Sequence, residues 1–324
     1  MKRSLSRVLG ALARCLAFGV ALCLLFSLAR ADEAFIPNQG GGDLAIVDLA
    51  TMTVAARLPL GGKPAGIAIA PDGARVYVTS PEGGFVSVID AKARRLEKRL
   101  EAPGLPFGVA VSPDGKKIYV ADMNGRELNE FDPQSGARRI AEVGAVPSGV
   151  AVTPDGAWIV VSARDDDALV LLDAATLTKR GTIAVGRHPF GLAIDAAGLR
   201  AYCANVESDD LSVVDLRTQQ RVASVKVGKR PYGVALASGR VFVANQYDET
   251  VSVFDAPSLA PIAVIKVGEY PESVSAGRDG ARVYVTNWFS NELWAIDARS
   301  LEILGKTETG EGPRAFGVFV RATD

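Results

Sequence analysis

The chain has 324 residues, 48% of them hydrophobic, with 36 basic and 37 acidic side chains and a formal charge of −1. That composition agrees with a globular protein, and it lacks the basic footprint of a general nucleic-acid grip. A single histidine, His188, excludes His-rich copper, zinc and non-haem iron centres, and no C-x-x-C-H is present for covalent haem.

Residues 1–31 read as a targeting segment, to be set apart from the fold. Lys2, Arg3, Arg7 and Arg14 form a basic start, Cys15 to Leu28 is an apolar run, and Ala29-Arg30-Ala31 fits a small-x-small cleavage site. The run holds 14 residues, short of the ~20 that span a bilayer, so no permanent membrane anchor is expected. The expectation is a periplasmic protein cleaved after Ala31. Removing five basic and no acidic residues leaves 31 basic against 37 acidic, a charge of −6. Cys15 and Cys23 leave with the segment. Cys203 then stands alone and reads as a small core hydrophobe.

From Asp32 onward one sentence recurs seven times. An aspartate closes an apolar run at Asp48, Asp90, Asp132, Asp173, Asp215, Asp255 and Asp297, with spacings of 42, 42, 41, 42, 40 and 42. Pro64, Pro106, Pro147, Pro189, Pro231, Pro271 and Pro313 keep the same beat. Within a unit, Gly108 to Val111 reads as strand a and Ile118 to Ala121 as strand b. Leu128 to Phe131 reads as strand c, and Arg138 to Val143 as a shorter, less apolar strand d. Pro113-Asp114-Gly115 joins a to b as a hairpin turn, and Ser238-Gly239 is a shortened copy. A period near 42 with four such runs predicts all-β propeller blades, and no segment shows the 3.6 period of a helical repeat. Small residues at Ala68, Ala110, Ala151, Ala193, Ala235 and Ser275 mark the side of strand a expected to face the ring axis. Phe319 breaks that rule and reads as a plug at the closure. The chain after residue 31 starts at a strand b and ends after another strand a, Gly317 to Val320. The expectation is therefore a single domain over 32–324. It has seven four-stranded antiparallel blades, with the C-terminal strand completing the first.

Five copies of one pattern carry a resemblance: Val76 to Ser80, Ile118 to Asp122, Ala201 to Asn205, Val241 to Asn245 and Val283-Tyr284-Val285-Thr286-Asn287. The chain resembles the YVTN-repeat β-propeller family, with its YncE-like periplasmic proteins. The resemblance implies the seven-bladed fold. For function it implies a non-catalytic binding or accessory scaffold. Its alternatives are a subunit of, or accessory to, a quinoprotein dehydrogenase system, a lactonase-like hydrolase, and DNA binding of the YncE type. A lactonase would normally show a metal or several histidines.

The loops joining d to a and b to c are expected to meet at one face around the channel mouth. Residues flanking the repeated proline vary within an otherwise shared frame. Lys63, Arg187, His188, Lys229, Arg230 and Arg314 place cations there, and Phe107, Phe190, Tyr232 and Tyr270 add aromatic surface. Trp288-Phe289 and Tyr247 occupy the b-to-c loops. Around them lies an acidic rim, Asp165 to Asp167, Glu207, Asp209, Asp210, Asp248 and Glu249. The rim lacks the D-x-D-x-D-G spacing of a calcium loop, so no metal is expected. The face suits an anionic, partly apolar small ligand or a protein partner. The candidate site is Lys63, Phe107, His188, Phe190, Arg230, Tyr232, Tyr270, Trp288 and Arg314. No catalytic residue and no cofactor are expected, and the protein reads as a monomer.

Overall fold

A computed structural model describes residues 32–322; the expected targeting segment and cleavage site lie outside them. The seven-bladed ring is present. Blade 1 takes its innermost strand from Val320–Arg321, which pairs antiparallel with Glu33–Asn38. Asp43–Asp48 and Thr53–Pro59 complete the blade. Blades 2 to 7 follow in order, each running from an axial strand a to an outer strand d. Phe316–Gly317 adds a short parallel strand to the inner edge of blade 2, beside Gly66–Ile69. Among the described residues the only helices are two 3-10 turns of three residues, so none could cross a membrane.

Burial follows from position in the blade. Strands b and c lie between two neighbouring blades, so both faces are covered and their apolar runs are nearly continuous. Strand d is outermost and alternates exposed with half-buried residues. The cores therefore lie between blades, each blade lending one face to each neighbour. At four of the junctions a large aromatic of strand b fills much of the space. Tyr77 faces blade 3, Tyr119 blade 4, Tyr202 blade 6 and Phe242 blade 7.

The proline starts strand a, where no ladder N–H is required. It pairs with the last residue of strand b, as in Pro189↔Asn205 and Pro231↔Asn245, and a bulge follows. The glycine after it is fixed by crowding: a Cβ on Gly108 would stand 1.9 Å from the Ser148 carbonyl of the next blade. Small side chains at Ala68, Ala110, Ala151, Ala193 and Ala235 line the axis as expected. Phe319 plugs the closure as expected: it is turned away from the axis and buried in the core of the closing blade, and its carbonyl accepts the Phe35 amide at 2.9 Å.

Candidate functional site

The face above the channel is built by the loops from d to a and from b to c. The residue before the proline adopts positive φ at Lys63 (56°), Val146 (50°), His188 (53°), Arg230 (50°) and Tyr270 (57°). Such a conformation is uncommon without glycine and costly for β-branched Val146. The acidic rim holds these turns in place. Asp167 accepts the His188 amide at 2.8 Å, Asp209 that of Arg230 at 2.8 Å, and Asp248 that of Lys229 at 2.8 Å. The rim carboxylates therefore fix the frame that presents the variable side chains.

The expected aromatic surface is divided in two. Phe107, Phe190 and Tyr232 are buried, turned toward one another and toward Phe316 instead of toward solvent. Phe190 lies 4.1 Å from Tyr232 and 5.0 Å from Phe316, ring centre to ring centre, and Phe107 lies 5.1 Å from Phe316. Together they stop the channel. The cause is a local insertion: blades 2 to 6 carry Pro-x-Gly, as in Pro106-Phe107-Gly108, and blade 7 Pro271-Glu272-Ser273 at the same spacing, while here Pro313 and Gly317 enclose Arg314, Ala315 and Phe316. That spacing was readable in the sequence, and Phe316 was not singled out.

Arg314 is also turned inward. It donates to Tyr232 Oη at 2.9 Å and to Gln39 Oε1 at 3.0 Å, and its guanidinium lies 5.2 Å from the Phe107 ring and 5.5 Å from that of Trp288. Its Nε is 2.9 Å from Glu272 Oε2, an ion-pair contact although the N–H is not aimed at that oxygen. Glu272, 1% exposed, also accepts from Gln246 at 2.9 Å. Burial pushes the Glu272 carboxyl above its usual range, against the opposing pull of Arg314 and Gln246. Burial would lower Arg314, but Glu272 and Tyr232 outweigh it and hold the guanidinium firmly charged.

The accessible part of the face is an arc over blades 5 to 7. Arg187, Lys229, Arg230 and Tyr247 line a cleft of about 340 Å³ together with Glu207 and Asp209. The Arg230 guanidinium lies 4.9 Å from the Tyr247 ring, and its buried Nε has no hydrogen-bond acceptor. Tyr247 leads to Tyr270 at 5.8 Å, Tyr270 to Phe289 at 4.9 Å, and Phe289 stacks on Trp288 at 5.3 Å. Tyr247 and Phe289 are 58% and 62% exposed. His188 Nδ1 stands 3.1 Å from Glu207 Oε1. Lys63 is exposed on blade 2, away from the arc, and donates to the Gly40 carbonyl at 3.4 Å. Off this face, Cys203 is buried, and burial pushes its thiol up to about 12, which leaves it unreactive near neutrality.

Comparison with curated protein sequences gives no match. Among solved structures the chain is similar to hydrazine synthase of Kuenenia stuttgartiensis, with a TM-score of 0.74 and 21% identity over 83% of this chain and 92% of that one. It is similar to a functionally unknown protein from Desulfotomaculum acetoxidans DSM 771, with a TM-score of 0.77 and 14% identity over 87% and 98%. A third is the dihydro-heme d1 dehydrogenase NirN in complex with DHE, with a TM-score of 0.67 and 20% identity over 88% of this chain and 65% of that chain. At these identities the likeness is one of fold. The sequence model of the YNCE-like beta-propellers matches residues 86–320, which is 235 of 324 residues. The ring, its repeated strand-b signature and this match together place the chain in the YNCE-like beta-propeller family.

Proposed function

We propose that the protein is an exported, periplasmic binding propeller whose arc over blades 5 to 7 takes an anionic small ligand or an acidic face of a partner. The observation that carries this is the cleft of Arg187, Lys229, Arg230 and Tyr247, continued by exposed rings. Guanidinium and ammonium groups supply charge-assisted donors, and a ring edged by cations suits a ligand with a planar or apolar part. The Arg230 guanidinium lies against the exposed Tyr247 ring at the cleft wall, where a ligand ring could stack beside it. The neighbours of like fold include enzymes, but no activity is carried over from them at such identities.

Native mass spectrometry of protein purified gently from its own host, with salt varied, is the direct test. A bound anion or a defined complex is expected, lost in the double variant Lys229→Glu, Arg230→Glu while the melting temperature stays within about 2 °C. A variant that melts far lower would make these residues structural and remove the reading. The same spectrum reports export: the expected mass begins at Asp32.

A further inference from the structure

The channel along the ring axis is a blind cup. Phe316 and its aromatic neighbours close the top. Beneath them lies a cavity of about 380 Å³, walled by the small residues of the axial strands and by Leu192, Leu236 and Val318, without one charged side chain. Val318 is 60% exposed where the cup opens at the bottom.

The hairpins joining a to b pack turn against turn into a collar around that opening. A Cβ on Gly115 would lie 3.7 Å from Pro71, one on Gly156 3.5 Å from Pro113, and one on Gly198 3.2 Å from Pro154. The collar is interrupted at blade 6. Its hairpin keeps only Ser238-Gly239 between Pro231–Ala237 and Arg240–Asn245, which is why the repeat spacing shrinks to 40 there. A Cβ on Gly239 would meet nothing within 4 Å. The gap is a cleft of about 740 Å³ between blades 5 and 6, and Leu236 lines both the cleft and the cup.

Charge is arranged unequally along this cleft. Arg200, Arg217, Arg240 and Arg278 line it against Asp195, Asp215 and Asp279. Each aspartate accepts a backbone amide of its own turn, from Leu199, from Arg217 and Thr218, and from Ala281. Arg240 is tied to the Ala298 and Arg299 carbonyls at 2.8 Å. Arg200 makes one long contact of 3.4 Å, and Arg217 one of 3.5 Å from an exposed side chain. These two guanidiniums keep donors to offer within the cleft.

We infer that cup and cleft form one binding site for an anionic amphiphile. Its aliphatic chain enters the cup past Leu236, and its carboxylate or phosphate monoester stays outside on Arg200 and Arg217. An uncharged apolar cavity of this size with a few polar groups at one end is the usual build of a small-molecule site. The forked guanidinium matches either head group. The site lies on the opposite face from the arc over blades 5 to 7 and stands independently of it.

Titration calorimetry of the purified protein with sodium octanoate, octyl phosphate, 1-octanol and n-octylamine tests this. Octanoate or octyl phosphate should bind saturably at one per chain, and octylamine at least tenfold more weakly. Arg200→Glu with Arg217→Glu should weaken the anions about tenfold or more and leave octanol unchanged. Replacing Ser238-Gly239 with the longer Pro-Asp-Gly-Lys turn of blade 3 should abolish binding of all the probes, with thermal melting confirming that the ring persists. Absence of saturable anion binding, octylamine binding as tightly as octanoate, or unaltered binding in both variants would each overturn the proposal. Arg230→Glu is the control on the other face, and its octanoate affinity should equal the parent's.

Discussion

Arg314 stands on the loop face, yet its polar contacts run inward, within its own blade and to two others. It meets Gln39 of blade 1, Tyr232 of blade 6 and Glu272 of blade 7, and it covers the Phe107 ring of blade 3. Removing one member of a buried ion pair leaves the other charge without compensation. Arg314→Ala is therefore expected to lower stability by about 3–5 kcal/mol, against about 1 kcal/mol for a surface cation. The pH dependence separates this from simple loss of packing. Glu272 already has its pKa raised by burial, and without Arg314 it rises further. The folded variant then keeps a proton that the unfolded chain releases above about pH 4.5. Its stability should fall as pH rises through the folded pKa, so urea denaturation should find the variant more stable at pH 5 than at pH 8. A flat profile would mean that the carboxyl finds another partner. Sequence alone identified Arg314 as a cation near the axis; the direction of its side chain depended on Glu272, forty-two residues away in the chain.

The most regular element is the turn from strand c to strand d. In each blade the register aspartate accepts amides two or three residues ahead. Asp48 bonds Ala50 and Thr51 at 3.0 and 2.9 Å, Asp173 bonds Ala175 and Thr176 at 3.1 and 2.9 Å, and Asp297 bonds Arg299 and Ser300 at 2.8 and 2.7 Å. These amides, behind the Ser258 hydroxyl at Asp255, hold all seven carboxyls below their usual range, Asp173 at about 2. A depressed folded pKa stabilises the fold above the unfolded value of 3.8 and is lost as pH falls through the folded one. Melting temperature should thus hold level from pH 8 to pH 5 as far as these groups act, then drop between about pH 4 and pH 2. Changing all seven to Asn should lower the plateau and flatten the drop, which scanning calorimetry would read. These residues were the clearest sequence signal because a turn that recurs in every blade needs the same acceptor in every blade. The loops over the channel left no such signal. Their job varies from blade to blade, and whether Phe107 faces water or Phe316 depends on a two-residue insertion at the other end of the chain.

At the scale of the whole molecule, the ring is closed by a short, irregular run of backbone pairing. Among the described residues Glu33↔Arg321 and Ala34↔Val320 pair the closing strand with blade 1, the Phe35 and Arg314 amides bond the Phe319 and Pro37 carbonyls, Asn38 and Pro313 form an isolated bridge, and Phe316–Gly317 adds two positions against blade 2. Side chains do the rest. Glu33, nearly buried, bonds Arg321 at 2.7 Å and Arg94 of blade 2 at 2.6 Å, and Arg321 also donates to the Gly73 carbonyl at 2.7 Å. Phe319 fills the core between blades 7, 1 and 2, and Phe316 the axis. Seven blades and their closure followed from counting repeats, since each blade must cover its neighbour's apolar face. The seam's dependence on the Glu33 pair did not, because Glu33 stands where other blades carry Arg75, Arg200, Arg240 and Arg282, and its partners Arg94 and Arg321 lie far from it in the chain. Single changes at the seam should weaken the ring without opening it: Phe316→Ala by about 3–5 kcal/mol, with the chain still a soluble monomer. Ending the chain after Ala315 removes both strands, both phenylalanines and Arg321 together. Blade 1 then exposes the inner edge of its strand b, and Glu33 keeps only Arg94. An exposed strand edge beside an unfilled apolar core recruits other chains. Size-exclusion chromatography with light scattering should find aggregate in place of monomer for the truncated chain. A truncated protein that stays monomeric and melts cooperatively would show that blades 2 to 7 hold the ring without the seam.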